Sequence, residues 1–309
     1  MITSLFRKST LLNYSAVIIG VVVFFFLCQI HGQTTTDVEI GIVKRVLLLI
    51  IILASLFIAN FIVKKNALSK DSAYTVLFYF ILLLFFPQLW SNFNLIVSNF
   101  FILLALRRLI SLQSPRAPKE KIFDASLWVF VACLFHFWSI LYIVLVFIAI
   151  LFHVARDYRN WFLPFIAFFT IASIFLLMAL FFDVTYIQKL LSQTAVNYKI
   201  NYFVNNYQNL ALSIYATIAL FFVVSLLLSL SNRPLMLHSS YKKIISAFFI
   251  GVVIFVISPY KSNDLLVFTI APLAMMATSH IEIAQVKWQK EVVLFALIIL
   301  GIFSFFSQL

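Results

Sequence analysis

Long apolar runs broken by short basic or polar stretches set the rhythm of this 309-residue chain. A helix needs roughly 20 apolar residues to cross a hydrocarbon layer about 30 Å thick. By that measure the candidate spans are 14–30, 46–63, 73–90, 95–110, 161–182, 210–230, 244–259, 264–279 and 292–308. Several are short for a span, which predicts thin, tilted or partly re-entrant helices. The pattern therefore predicts an all-α fold: a polytopic transmembrane helix bundle of about nine full spans, in a single integral membrane domain over 1–309.

One run does not fit. Residues 124–153, DASLWVFVACLFHFWSILYIVLVFIAILFH, hold no charged residue after Asp124. As one helix they would reach about 45 Å, well beyond the bilayer core. Both flanks are basic: Arg107, Arg108, Arg116, Lys119 and Lys121 precede the run, and Arg156 and Arg159 follow it. Basic loops favour the cytoplasmic side. If 124–153 is a re-entrant or short-helix hairpin, 17 of the 22 basic residues face the cytoplasm and five face outward. If it is one span, the counts become 13 and nine. The hairpin is favoured, with its bend near His136, the N-terminus in and the C-terminus out. Backbone turning at mid-depth must be buried in protein or line a wet cavity. His136 either bonds the carbonyls freed there or touches a substrate.

Composition agrees. The chain is 64% hydrophobic and 10% charged, with a mean hydropathy of +1.10, against about a quarter charged for soluble domains. The net charge of +12 falls in short clusters between apolar runs, which argues for membrane orientation and against nucleic acid as a partner. Cys28 and Cys133 sit inside apolar runs, away from any metal-type spacing. The first run, AVIIGVVVFFFLC, is followed by QIHGQTTT without a small-x-small cleavage site, so it reads as a retained span. With only five glycines, nucleotide-cradling loops are excluded. No cofactor and no metal is expected.

In this topology three segments share the outer side. HGQTTTDVEI, 31–40, carries Asp37 and Glu39, which are either a general base or acids of a solvated loop. The stretch 183–209 is rich in Tyr and Asn, with Tyr198 and Tyr202 near its centre. Flat rings with polar tips suit a polar ligand such as a sugar, and equally suit interfacial anchoring or partner docking. Within it YIQKLLSQ has the pattern of an amphipathic turn lying on a membrane. The turn PYKSND places Lys261 to pair with Asp264 or to meet a lipid phosphate.

Two stretches carry a resemblance. ACLFHFWSILYIVLVFIAILFH resembles the short-helix hairpin of GT-C-type membrane glycosyltransferases and of exopolysaccharide and O-antigen polymerases. SPYKSNDLLVFTIAPLAMMAT, with Pro272, resembles a later span of those proteins. Together they cover about 40 residues. The resemblance implies an outward cavity for a polyprenyl-phosphate-linked sugar. It puts the catalytic base on Asp37 or Glu39 and the phosphate on Lys261; His136, Tyr198 and Tyr202 are candidate substrate contacts from the residue pattern itself. The first outer loop is shorter here than in that family, and its acidic motif is not clearly matched. The Phe-rich texture is also similar to a family of polytopic inner-membrane proteins of Bacteroidota that brings no function with it. A bacterial inner-membrane location is expected, with membrane lipids, a lipid-linked saccharide and other envelope membrane proteins as partners. Three classes follow: an enzyme on lipid-linked sugars, a non-enzymatic subunit of an envelope assembly or secretion complex, and a transporter. Scarce intramembrane charge counts against the last.

Overall fold

The computed structural model describes residues 2–31, 41–114, 116–198, 206–284 and 286–309. Its helices are α1 (Ile2–Phe6), α2 (Leu11–His31), α3 (Ile42–Lys65), α4 (Tyr74–Leu83), α5 (Phe93–Ile110), α6 (Pro118–Phe135), α7 (Ile143–His153), α8 (Arg159–Phe181), α9 (Thr185–Ser192), α10 (Asn206–Ser229), α11 (Leu235–Ile257), α12 (Val267–Ile283) and α13 (Lys287–Gln308). The described residues contain no strand. Eight of their helical stretches are long and apolar enough to cross a membrane, so the architecture is that of an all-α membrane protein. Cys28 and Cys133 are both buried and not joined in a disulfide.

The candidate span 73–90 is not one of the eight. It is α4, ten residues long, followed by a 3-10 segment over Pro87–Ser91. The sequence reason is Pro87, which pushes Phe86 out of helical geometry, to φ −130 and ψ 75. Carbonyls freed in apolar surroundings must find donors. Leu83 accepts from the Trp90 indole N–H at 3.3 Å and Phe85 from the Gln308 amide at 3.0 Å. Hydropathy alone does not separate such a half-length helix from a span.

The chain forms two compact units that interleave in sequence: Met1–Ile96, Asn201–Asn232 and Ile270–Leu309 make one, and Val97–Ile200 with Arg233–Thr269 makes the other. In the first unit α4 is the hub. Its side chains are buried nearly all round, with Phe78 against Phe222 of α10, and Thr75 bonded to Thr278 of α12 at 3.1 Å. Phe80 packs on Phe24 of α2, which in turn meets Phe305 of α13. At the far end of this hub, Glu282 accepts from the Ser72 hydroxyl at 2.7 Å, and Tyr74 donates to the Thr3 carbonyl of α1 at 2.6 Å.

In the second unit the run 124–153 is broken at His136, whose backbone is extended (φ −144, ψ 109). A 3-10 segment over Phe137–Tyr142 leads into α7. Lys119, at the start of α6, reaches Asp157, just past α7, with an N–O distance of 3.2 Å. The stretch therefore folds back and ends where it began. No Gly or Pro marks the break; side chains from elsewhere hold it. Ser98 of α5 donates to the Ala132 carbonyl at 3.1 Å, so Ser139 must donate to Ser98 across 2.6 Å. The Phe137 N–H is taken by the Gln193 side-chain oxygen at 3.1 Å. The buried Tyr142 hydroxyl lies 3.1 Å from the carbonyls of both Ala247 on α11 and Phe268 on α12. Among the described residues the His136 ring meets the Ser258 hydroxyl, at 3.4 Å, rather than a freed carbonyl.

At the base of the hairpin the Asp157 carboxyl is held below the usual carboxylate range, first by the Arg159 backbone N–H and then by Lys119. A carboxylate with a depressed pKa contributes above its unfolded value, and the contribution is lost as pH falls through its folded value. Acidification below about pH 4 is therefore expected to loosen residues 154–160, read as faster hydrogen exchange there. Exchange that is indifferent to pH beyond its intrinsic dependence would contradict this.

Candidate functional site

The bend of the hairpin is met by two other segments of the same unit. The first is the C-terminal edge of α11 and the turn that follows it. Ser258 is fully buried, and its hydroxyl lies 3.4 Å from His136 Nε2. The His136 ring packs at 5.8 Å on Phe268, tilted by 31°. The second segment follows α9. Gln193 holds the Phe137 N–H, while Asn197 donates its backbone N–H to the Ile257 carbonyl at 3.3 Å and its amide to the Pro259 carbonyl at 3.4 Å. Residues 136–139, 193–197 and 257–259 thus adjoin as one polar rim of this unit, and the turn continues from there through 264.

The rim carries groups that are costly to bury. Asn263 and Asp264 are almost fully buried, in the 3-10 segment Asn263–Leu266 that opens α12. The Nζ of Lys261 is shielded from solvent and makes no hydrogen bond among the described residues. The Trp138 indole N–H, two residues past His136, is in the same condition. An ammonium out of water calls for an anion or several acceptors. The expected Lys261–Asp264 hydrogen bond is not made among the described residues.

His136 contacts Ser258, and Lys261 lies three residues beyond Ser258 in the turn that follows α11. Tyr198 follows Asn197 directly and is 72% exposed, so it borders the rim with its ring outward. Asp37, Glu39 and Tyr202 lie outside the described residues. Sequence reasoning does not single out Ser258 or Gln193, and it marks Asn197 only as one of the Asn residues of the stretch 183–209. The signal for them is weak: polar residues close to long apolar stretches, each with a backbone or ring partner that composition does not reveal. Among the described residues no group of three or more His, Cys, Asp or Glu side chains comes together as a metal site.

A family described as a family of unknown function (DUF6427) matches over residues 1–309. No curated protein and no solved structure matches the chain.

Proposed function

The chain belongs to DUF6427, which brings no activity with it, and we propose from its own geometry that it is a bacterial inner-membrane protein holding a polyprenyl-phosphate-linked saccharide at the rim beside the hairpin bend, with a GT-C-like architecture. In this reading the N-terminus and the basic segments face the cytoplasm, and the rim and the C-terminus face outward. The eight long helices and the fold-back between Lys119 and Asp157 are compatible with that course. The observation that carries the reading is the Lys261 Nζ, shielded and without a hydrogen-bond partner among the described residues, in the turn whose Ser258 meets His136 at the bend. A phosphate would supply the charge and the acceptors that this ammonium lacks, and Tyr198 offers a flat face for a sugar. Asp37 or Glu39 would act as the base for glycosyl transfer.

The test is binding of an undecaprenyl phosphate in nanodiscs. A charge-assisted hydrogen bond is worth about 1.5–3 kcal/mol, so Lys261→Met is expected to weaken binding by about tenfold or more. Equal affinity for wild type and variant would sink the reading. If binding is lost but Asp37→Asn and Glu39→Gln leave envelope glycans unchanged, the chain is a non-enzymatic subunit that carries the lipid. The exposed Tyr198 region favours that second reading, which predicts a stoichiometric partner after mild detergent extraction.

A further inference from the structure

We infer that α9 is a membrane-interface lid, seated in the lipid headgroup layer and tied by Gln193 to the hairpin bend. The argument begins where α8 ends. Phe181 and Phe182 are 83% and 78% exposed, and they close a helix whose most apolar window is only 17% buried by protein. Asp183 then turns the chain: its carboxylate accepts from the Thr185 N–H at 2.9 Å and the Thr185 hydroxyl at 2.6 Å. From Val184, just before α9, the apolar residues Val184, Ile187, Leu190 and Leu191 recur at helical spacing, with Thr185 and Ser192 on the other side. Val184 and Leu191 remain exposed, so protein covers only part of the stripe.

The occupant that fits is the bilayer interface. The stripe continues directly from the lipid-facing end of α8, and a short helix with one apolar face and a polar back is suited to lie in the headgroup layer. Directly after this helix, Gln193 takes the Phe137 N–H, the donor left open where α6 stops. While α9 is seated, that N–H is occupied. When α9 lifts, the N–H is released toward the rim as one more donor for an anionic headgroup. The inference rests on reading the rim as ligand-facing, but its lipid contact can be tested without any ligand.

The experiment uses full-length protein with Cys28→Ala and Cys133→Ala, reconstituted in vesicles of phosphatidylethanolamine and phosphatidylglycerol. Spin labels are placed at Val184→Cys, Leu191→Cys and, as control on the polar back, Ser192→Cys. Labels at 184 and 191 are expected to collide more with oxygen and less with a water-soluble nickel chelate than the label at 192. Equal nickel access at all three positions would overturn the inference, and shielding of 184 and 191 from both agents would replace lipid by a second copy of the chain. The coupling to the bend is read by hydrogen exchange in labelled-free protein. Ile187→Asp with Leu191→Asp, and separately Gln193→Ala, are expected to speed exchange at Phe137 by about fivefold, the loss of one hydrogen bond. Gln193→Glu, which keeps an acceptor, should not. Unchanged exchange at Phe137 in both disrupting variants removes the lid role. If α9 proves lipid-seated while Lys261→Met still binds undecaprenyl phosphate as wild type does, the ligand reading fails and the interface reading stands.

Discussion

Replacing Gly251 with alanine is expected to destabilise the protein by about 1–3 kcal/mol, and with valine by more. A Cβ at this position would sit 2.8 Å from Thr269 Cγ2, 3.2 Å from the Phe268 carbonyl carbon and 3.3 Å from Phe268 Cβ. One of those neighbours is backbone, which cannot swing aside, so α11 and α12 would have to part. Parting them also strains the Tyr142 hydroxyl, which lies between the Ala247 and Phe268 carbonyls on those two helices. Gly20 is the natural control. Its added Cβ would meet only the ring end of Phe80, at 3.0 Å, and a ring can rotate away, so Gly20→Ala should cost less. Thermal unfolding in mild detergent reads both. A Gly251→Ala midpoint equal to wild type would mean that the two helices are not in close contact there.

Lys243→Met is expected to cost about 2–4 kcal/mol, because it strands buried acceptors worth about 1–3 kcal/mol each. Lys243 is fully buried, without a carboxylate partner in the described residues. Its Nζ donates to the Leu109 carbonyl at 2.7 Å and lies 3.0 Å from His153 Nε2. Leu109 belongs to the last turn of α5, where carbonyls lack helical partners and the helix end is negative. Lys121 completes the arrangement, donating to the carbonyls of Ser111 at 2.8 Å and Ser114 at 2.9 Å. Two lysines from two helices thus cap the end of a third. Methionine keeps the stem volume, so any loss reports the polar contacts. Lys243→Gln, which retains a donor, should recover part of it. A variant as stable as wild type under graded denaturation would show that the methionine packs well enough to offset the lost bonds.

These cases show what could be read from the residues. The fold-back at His136 was legible because length and charge both opposed a single span: 30 residues are too many, and both flanks are basic. The half-length α4 was not, because hydropathy measures distaste for water and is silent on whether lipid or protein does the covering. Pro87 was the available hint. Lys243 looked like one more basic residue of a loop cluster, since nothing near it in sequence announces the end of α5 more than 130 positions earlier. The rim was half legible: His136 and Lys261 stood out as ionisable groups in apolar surroundings, while Ser258 and Gln193 acquire meaning only from their partners in space.

The Gln308 side chain, which holds the Phe85 carbonyl across 223 positions of sequence, also bears on how the molecule is made. The break after α4 leaves the ribosome well before the amide that quiets it, which is synthesised 223 positions later. Until then the nascent chain must shelter an open polar backbone within the insertion machinery or among the helices already delivered. The first unit therefore cannot close until α13 arrives.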